Sequence, residues 1–519
     1  MAPSRAPTVA VSRWSRCLRR NFTTSSLRSG DASRPPTAPK PVPDVKFIRD
    51  NAELFSRNCI DRNYAAHAEY PYRILQLSKE ARQLVEELKK PRNEIKKVER
   101  SIAQVAAQGG QSPENKEQLE TLRQEAQRLK SETEAKTLRK AQIDEEIQRL
   151  ALALPNLSSP ETPIGEEPRL VRYINFDPEN PPSWANQPDP SRSHVSIGAS
   201  LGLIDFTSSA TSTGWGWYFL TNEGALLEHA LVQYAMSVAL RRGWKAVSPP
   251  SLVYSYIAEA CGFQPRDRND EQQIWSIEQT EKEKAKPQRS LAGTAEIPLA
   301  AMYAGRDIDV SELPIKLVGA SRCYRAEAGA RGVDTKGLYR VHEFTKVELF
   351  GWADNIRTNS DATPASVTSN PMTDDLFNNL LDTQTEILGS LGLPCRVLEM
   401  PTTDLGASAA RKRDIEVLFP SRIRLSSEFK PDLETGWGEV TSASICTDYQ
   451  SRRLGTRVRG GEEKNSRYPH TVNGTAMAVP RVLAAILENG WDEKRGVVVV
   501  PEVLRKWMGG LEVIERRQS

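Results

Sequence analysis

The chain has 519 residues, 38% of them hydrophobic, a formal net charge of +3 and six cysteines. It can bury a sizeable core in more than one domain, but a near-neutral balance gives nucleic acid no bulk attraction, so any such contact must rest on local basic patches. No run of eighteen apolar residues suggests a membrane span, and Cys17, Cys59, Cys261, Cys323, Cys395 and Cys446 form no CxxC pair and have no His at ligand spacing, so they read as reduced thiols without structural zinc.

The first thirty residues carry six arginines, many Ser and Thr, and no acid before Asp31. A basic segment able to form an amphipathic helix, without the apolar core of a secretory signal, reads as an organellar transit peptide; a basic RNA-contacting tail is the bland alternative. Five prolines in residues 33–43 mark a linker, so residues 1–43 are set apart from the folded chain.

Residues 44–155 read as a helical arm. After a short apolar turn and a helix, positions 77, 81, 84, 88, 91, 95, 98, 102 and 105 alternate in steps of four and three with mostly apolar side chains, a coiled-coil seam. Beyond the break AAQGGQSP a second series runs through Leu119, Leu122, Ala126, Leu129, polar Thr133, Lys136 and Lys140, then Ile143, Ile147 and Leu150. Two such helices joined by a short break fold back into an antiparallel hairpin spanning about 76–152. About thirty residues at roughly 1.5 Å each predict an arm of roughly 45 Å, kinked at Pro91. Sixteen basic against fourteen acidic residues across 76–150 describe a solvated rod, and periodicity alone fits a structural or dimerising coiled coil equally.

LPNLSSPETPIG ends the helical period and opens a second domain, 156–519. Residues 215–220 read as a strand, 224–242 as a long helix with apolar residues at helical spacing, and RRGWKAVSPPSLV as a strand closing on Pro249 and Pro250. In SRCYRAEAGARGVDTKGLYRVHEFTKVELF, residues 321–350, Cys323, Arg325 and Glu327 alternate on one strand face, and Phe344, Lys346 and Glu348 on another. Gly329, Gly332 and Gly337 lie between them, and the whole predicts a hairpin. Arg325 can hold a phosphate, the loop can fold over a flat base, Phe344 can stack on it and Arg340 can add a second cation. These thirty residues alone also fit an ordinary charged edge hairpin. Residues 355–373 read as a Ser/Thr/Asn/Asp-rich surface insertion, followed by a helix at 376–391 and strands at 395–400 and 414–419.

The hairpin resembles motif 2 of the class II aminoacyl-tRNA synthetases, and EAG…GVDTKGLYRVHEFTKVE is similar to the seryl-tRNA synthetase family in particular. HTVNGTAMAVPRVLAAILENG resembles motif 3 of that family, LAGTAEIPLA resembles its TxE loop, and GEVTSASICTDYQSRR and HVSIGASLGLIDF match further segments of it. The implied fold is α+β: an antiparallel-sheet catalytic domain behind a helical arm, working as a homodimer through the 224–250 region. The implied reaction is ATP-dependent activation of L-serine and its transfer to tRNA(Ser) in the mitochondrial matrix, with ATP and Mg2+ as cofactors.

The resemblance also implies residue roles. Thr294, Ala295, Glu296, Arg325, Glu348, Asn473 and Thr475 would hold serine. Arg325, Ala326, Glu327, Arg340, Val341, Phe344, Glu439, Val440, Thr441, Ser442 and Arg481 would hold ATP, with Glu439 and Ser442 as Mg2+ ligands and Arg325, Glu439 and Arg481 central to catalysis. On the arm, Lys89, Lys90, Arg92, Lys96 and Lys97 would include contacts to tRNA phosphates. The family usually has an arginine near 215–218, where this chain has Gly and Trp. P-loop, Rossmann and HIGH signatures are absent. A catalytically silent synthetase-like paralogue is the rival reading, which the retained charged residues oppose.

Overall fold

The computed structural model describes residues 34–107, 112–186, 188–263, 273–326, 337–355, 370–461 and 466–517. The Arg-rich segment, Glu327, Gly329 and Gly332 of the hairpin loop, and residues 356–369 of the predicted insertion lie outside the described residues. Two short helices, α1 (Val45–Asp50) and α2 (Ala52–Asp61), precede two long ones, α3 (Tyr70–Ala107) and α4 (Pro113–Ala153). The Asp44 side chain accepts from Phe47 N at 3.0 Å to start α1, and Ser112 accepts from Asn115 N at 3.2 Å to start α4.

Helices α3 and α4 pack against each other along the predicted seam. All nine positions of the first series are buried or half-buried, and of the second series only Lys136 is exposed. Ion pairs Arg73–Glu146, Glu80–Arg139, Glu87–Lys136 and Glu99–Lys130 step in opposite directions along the two chains, which fixes the antiparallel register. Polar Thr133 is accommodated by hydrogen bonding back to Leu129 O at 3.0 Å. Pro91 lies half-buried inside α3, whose helical run continues through it. One missing backbone donor is outweighed by seam packing on both sides. With 38 and 41 residues the helices are about 57–62 Å long, longer than expected because α3 begins at Tyr70 rather than near Gln76.

The arm is rooted in the second domain. Ile48, Phe55, Ile74, Leu77, Ile143, Ile147 and Leu150 form a cluster with Ala407 and Tyr449. Fully buried Arg62 donates to the carbonyls of Asn156 and Gly406, and Asn156 Nδ2 donates to Ser408 O at 2.8 Å and Cys446 O at 2.9 Å. The LPN segment is therefore a packed joint.

The second domain is built on eight strands: β1 (Arg169–Ile174), β2 (Lys245–Val247), β3 (Ile315–Tyr324), β4 (Glu343–Ala353), β5 (Cys395–Glu399), β6 (Arg411–Leu418), β7 (Trp437–Thr447) and β8 (His470–Ala478). Their spatial order is β1-β5-β6-β7-β8-β4-β3-β2, antiparallel throughout except for the parallel β2–β3 edge. Helices α5 (His194–Ser200), α6 (Asn222–Arg241), α8 (Pro371–Ser390) and α9 (Val479–Asn489) belong to the layer whose core includes Val347 and Leu349 of β4, Ala443 of β7 and Val472 of β8. The short α7 (Glu296–Ala301) packs near the other face, against Phe350 and Trp352. Alternation along β4 thus sends odd residues to the helix layer and leaves Phe344, Lys346 and Glu348 facing the opposite side.

Four sequence expectations need correction. The strand at 215–220 is only Phe219–Leu220, because Gly214 and Gly216 adopt left-handed φ angles of 95° and 85°. Strand β3 ends at Tyr324, short of Arg325 and the predicted extension to Glu327, although Arg325 still lies over Phe344 beside Cys323. Helix α8 starts at Pro371, with Asn370 as its cap and Thr373 fully buried, so the end of the 355–373 segment is core and not surface. Glu296 opens a short helix rather than lying in a loop. Among the described residues no helix is long and apolar enough to cross a membrane.

Candidate active site

On the face of the sheet away from α8, side chains from β4, β7 and β8, the start of α9 and the segments flanking the hairpin loop at Arg325 and 339–341 line a cavity of about 150 Å³. It brings together Thr294, Glu296, Arg325, Arg340, Val341 and Phe344 with Glu348, Glu439, Val440, Thr441 and Ser442 and, from the motif 3 segment, Asn473, Thr475 and Arg481. Ala295 is buried behind it and Ala326 lies outside its lining, so neither offers a side chain to a ligand. Glu327 falls outside the described residues.

Two bulges aim these side chains. In β7, Glu439 pairs with Glu416 and Thr441 with Ile415, leaving Val440 without a partner. Glu439 and Ser442, three residues apart, would point to opposite faces of a regular strand; the extra residue turns both into the cavity while Val440 and Ala443 enter the core. In β8, Thr475 pairs with Glu348 and Met477 with Val347, so Ala476 is the extra residue. Buried Gln384 of α8 holds both irregular stretches: its Nε2 lies 2.9 Å from Thr441 Oγ1, 2.8 Å from Ser442 O and 2.9 Å from Thr475 O.

One end of the cavity is acidic and buried. Glu296 is buried, its Oε1 accepting from Gln450 Nε2 at 2.6 Å, and Gln450 Oε1 in turn accepts from Thr471 at 2.7 Å. Burial first, then the Glu348 charge, push the Glu296 carboxyl up to about 8, against the pull of Lys346, Gln450 and Arg325. Buried Lys346 and Glu348 pair at 2.6 Å. Once Glu296 gives up its proton, two carboxylates beside a single lysine leave room for one more cation, of the size and hydrogen-bonding capacity of an α-ammonium group.

The other end is built for anions. Arg325 lies over the Phe344 ring, 5.3 Å from its centroid, with its Nε 3.5 Å from Gly293 O. Arg481, near the start of α9, donates to Glu439 O at 3.0 Å and Tyr339 O at 3.2 Å and pairs with Glu439 Oε2 at 3.3 Å. Burial alone would raise the Glu439 carboxyl; Arg481, Lys412 and Arg325 together hold it down at about 2, so it is ionised at neutral pH. Behind it, Lys412 pairs with Asp414 at 2.8 Å and Asp404 at 3.1 Å, and burial pushes Asp414 upward against the pull of Lys412. Among the described residues no group of three or more His, Cys, Asp or Glu could form a metal cage. An ionised carboxylate and a hydroxyl, Glu439 and Ser442, fit a Mg2+ carried mainly on nucleotide phosphates.

Three further side chains contribute, of which only Lys346, on the face of Glu348, was placed from the sequence, without a role assigned to it. Tyr339 lies beneath two guanidiniums, Arg422 at 3.9 Å and Arg481 at 4.6 Å from its centroid, and its hydroxyl donates to Glu439 O at 2.8 Å. Lys346 was legible from its i, i+2 relation to Glu348 on one strand face. Gln450 behind Glu296 had no sequence signal, because the contact spans 154 residues. The described cysteines are buried free thiols outside the cavity lining; burial raises those of Cys59 and Cys261, and pushes Cys59 up to about 12.

An antiparallel-dominated sheet carrying a hairpin arginine and a helix-borne arginine around one cavity defines a class II aminoacyl-tRNA synthetase core, and residues 279–490 match the family model "tRNA synthetase class II core domain (G, H, P, S and T)". Residues 42–158 match the "Seryl-tRNA synthetase N-terminal domain". The chain is 36% identical to the mitochondrial serine–tRNA ligase of Saccharomyces cerevisiae over 92% of this chain and 96% of that one, and 38% identical to its Schizosaccharomyces pombe counterpart over 89% and 87%. Its fold superposes on the seryl-tRNA synthetase of Pyrococcus horikoshii solved with ATP, with a TM-score of 0.72, 29% identity and coverage of 92% and 100%. The chain belongs to the seryl-tRNA synthetase family.

Proposed function

We propose that the chain is a serine–tRNA ligase that activates L-serine with ATP and transfers it to tRNA(Ser) in the mitochondrial matrix, as a homodimer using Mg2+. The observation that carries the reading is one cavity with an ammonium-sized acidic end at Glu296 and Glu348 and an anion-binding end at Arg325 and Arg481. Serine would enter with its ammonium on the two carboxylates, while Asn473 and Thr475 offer polar partners to the rest of it. Hydrogen bonding to the substrate hydroxyl would reject alanine. Phe344 and the Val341 backbone would hold adenine, as part of a nucleotide site whose phosphates meet Arg325, Arg340 and Arg481.

In the first step a serine carboxylate oxygen bonds to the α-phosphorus of ATP as the bond to pyrophosphate breaks, giving seryl-adenylate. Mg2+ bound through ATP, Glu439 and Ser442 would neutralise phosphate charge. The chain's own part is to align the reactants and stabilise the charge developing at phosphorus through Arg325 and Arg481. No side-chain nucleophile is needed. In the second step a terminal ribose hydroxyl of tRNA attacks the adenylate carbonyl and AMP departs, with no protein group assigned as general base.

Homodimer formation is supported by Leu226 and Leu240 of α6 and by Phe219, all about half exposed. Mitochondrial location is supported by the relatives' names and by the arginine-rich, acid-free start of the chain. The arm's contacts to tRNA are assigned to Lys89, Lys90, Arg92, Lys96 and Lys97, all exposed. The deciding experiment is serine-dependent ATP–pyrophosphate exchange with Arg325→Ala alongside. Exchange with serine but not alanine, lost by at least about a hundredfold in the variant while its fold is retained, is expected. Near-normal exchange in the variant would sink the assignment of Arg325.

A further inference from the structure

The segment 214–218, with Gly216 between two tryptophans, contributes nothing to the lining of the serine and ATP cavity. It lines a second, mostly apolar cavity of about 630 Å³, which shares Tyr339 and Arg340 with the first. We propose that this second cavity receives the single-stranded 3′ end of the tRNA, with the Trp215 ring as a stacking platform for one of its bases. The proposal rests on the reading of the chain as a tRNA ligase and names where its second substrate enters.

The platform is exposed yet held in place. Trp215 is 70% exposed, and its ring meets His342 edge-on at 6.3 Å between centroids; Trp217 at 5.8 Å and Trp275 at 6.0 Å also pack on that histidine. Gly216 is required for this arrangement: its φ is 85°, and a β-carbon there would come within 2.5 Å of His342 Cδ2. The Gly216 carbonyl accepts from His342 N at 2.9 Å, and the Arg325 carbonyl accepts from His342 Nδ1 at 3.0 Å. The aromatic wall is thereby tied to the peptide that places Arg325.

The charge balance of the lining favours an anionic strand. Arg340 and Arg422 line the cavity; the one acidic residue among its described lining, Glu488, is taken up by His194 Nδ1 at 2.8 Å and by Ser421 N and Oγ at 3.1 and 2.9 Å. Aromatic faces combined with guanidiniums are the means by which proteins bind single-stranded nucleic acid without reading its sequence. A strand stacked on Trp215 would pass Tyr339 and Arg340 to reach the first cavity, where the ribose hydroxyl must meet the adenylate carbonyl.

The test compares Trp215→Ala and Trp215→Phe with the unsubstituted full chain in three measurements: serine-dependent pyrophosphate exchange, kcat/KM for charging tRNA(Ser), and subunit state by sedimentation. Exchange within twofold, charging reduced about tenfold or more by alanine and largely restored by phenylalanine, and unchanged subunit state are expected. Charging within twofold in Trp215→Ala would overturn the proposal. So would a loss of charging accompanied by lost exchange or an altered subunit state, since that would assign Trp215 to the fold or to the contact between copies. Failure of the unsubstituted chain to catalyse exchange would instead overturn the underlying reading.

Discussion

At the level of single residues, Glu296 has the chemistry most altered by its surroundings. Its folded-state value of about 8 lies above the ordinary 4.5, so it favours the folded state at low pH, and that contribution is lost as pH rises from about 4.5 to 8. Serine's ammonium would bind the ionised form. Serine binding at pH 7 is therefore expected to release close to one proton, and its affinity to rise about tenfold per pH unit until levelling near 8. Calorimetry in buffers of different ionisation enthalpy measures the proton; a release near zero would show that Glu296 is already ionised in the free chain. Glu296→Gln should abolish the proton release. The residue was legible from the segment LAGTAEIPLA, but its protonation state was not, because that is set by burial and by Glu348, 52 positions away in the chain.

At the level of elements, the arm and the hairpin illustrate opposite degrees of legibility. The seam of α3 and α4 could be read position by position, because burial along a helix pair follows from local periodicity. The seam was read through Pro91, and α3 continues through it with packing from the opposite helix on both sides. Replacing residues 87–136 with a short glycine-containing turn would keep the anchored base, including Leu77, Ile143 and Ile147, in its cluster. Exchange is expected to stay within about twofold, while charging of tRNA(Ser) falls by about a hundredfold, the scale of losing several phosphate contacts. Steady-state charging kinetics measure this, and unimpaired charging would remove the arm from tRNA recognition. In the hairpin, the alternation of Phe344, Lys346 and Glu348 on β4 was readable, whereas the end of β3 before Arg325 was not. There one further cross-strand bond, Arg325 N to His342 O at 2.8 Å, continues the β3–β4 register before the pairing stops.

At the level of the whole molecule, a net charge of +3 is too small to attract RNA by itself. On the proposed reading, binding would come from the exposed lysines and arginine of the arm and from the arginine-lined second cavity. Charging should consequently lose at least about tenfold in kcat/KM for tRNA between roughly 50 and 300 mM potassium chloride, while exchange, which involves no polyanion, changes by less than about threefold. Parallel loss of both would indicate that salt acts on the fold or on the ATP site.

The sequence by itself determined the two-domain order, the helical arm with its seam, and about two thirds of the cavity residues. Helical periodicity and strand alternation are local, and the motif residues are contiguous in the chain. Only the tertiary structure decided that Glu439 and Ser442 share a face, through a bulge held by Gln384 from another layer. It also raised Glu296 through burial beside Glu348 and placed Tyr339 beneath Arg422 and Arg481. The same holds for the second cavity around Trp215. Each of these depends on atoms brought together across tens to hundreds of residues, and strand register and burial are properties of the assembled sheet that no local pattern encodes.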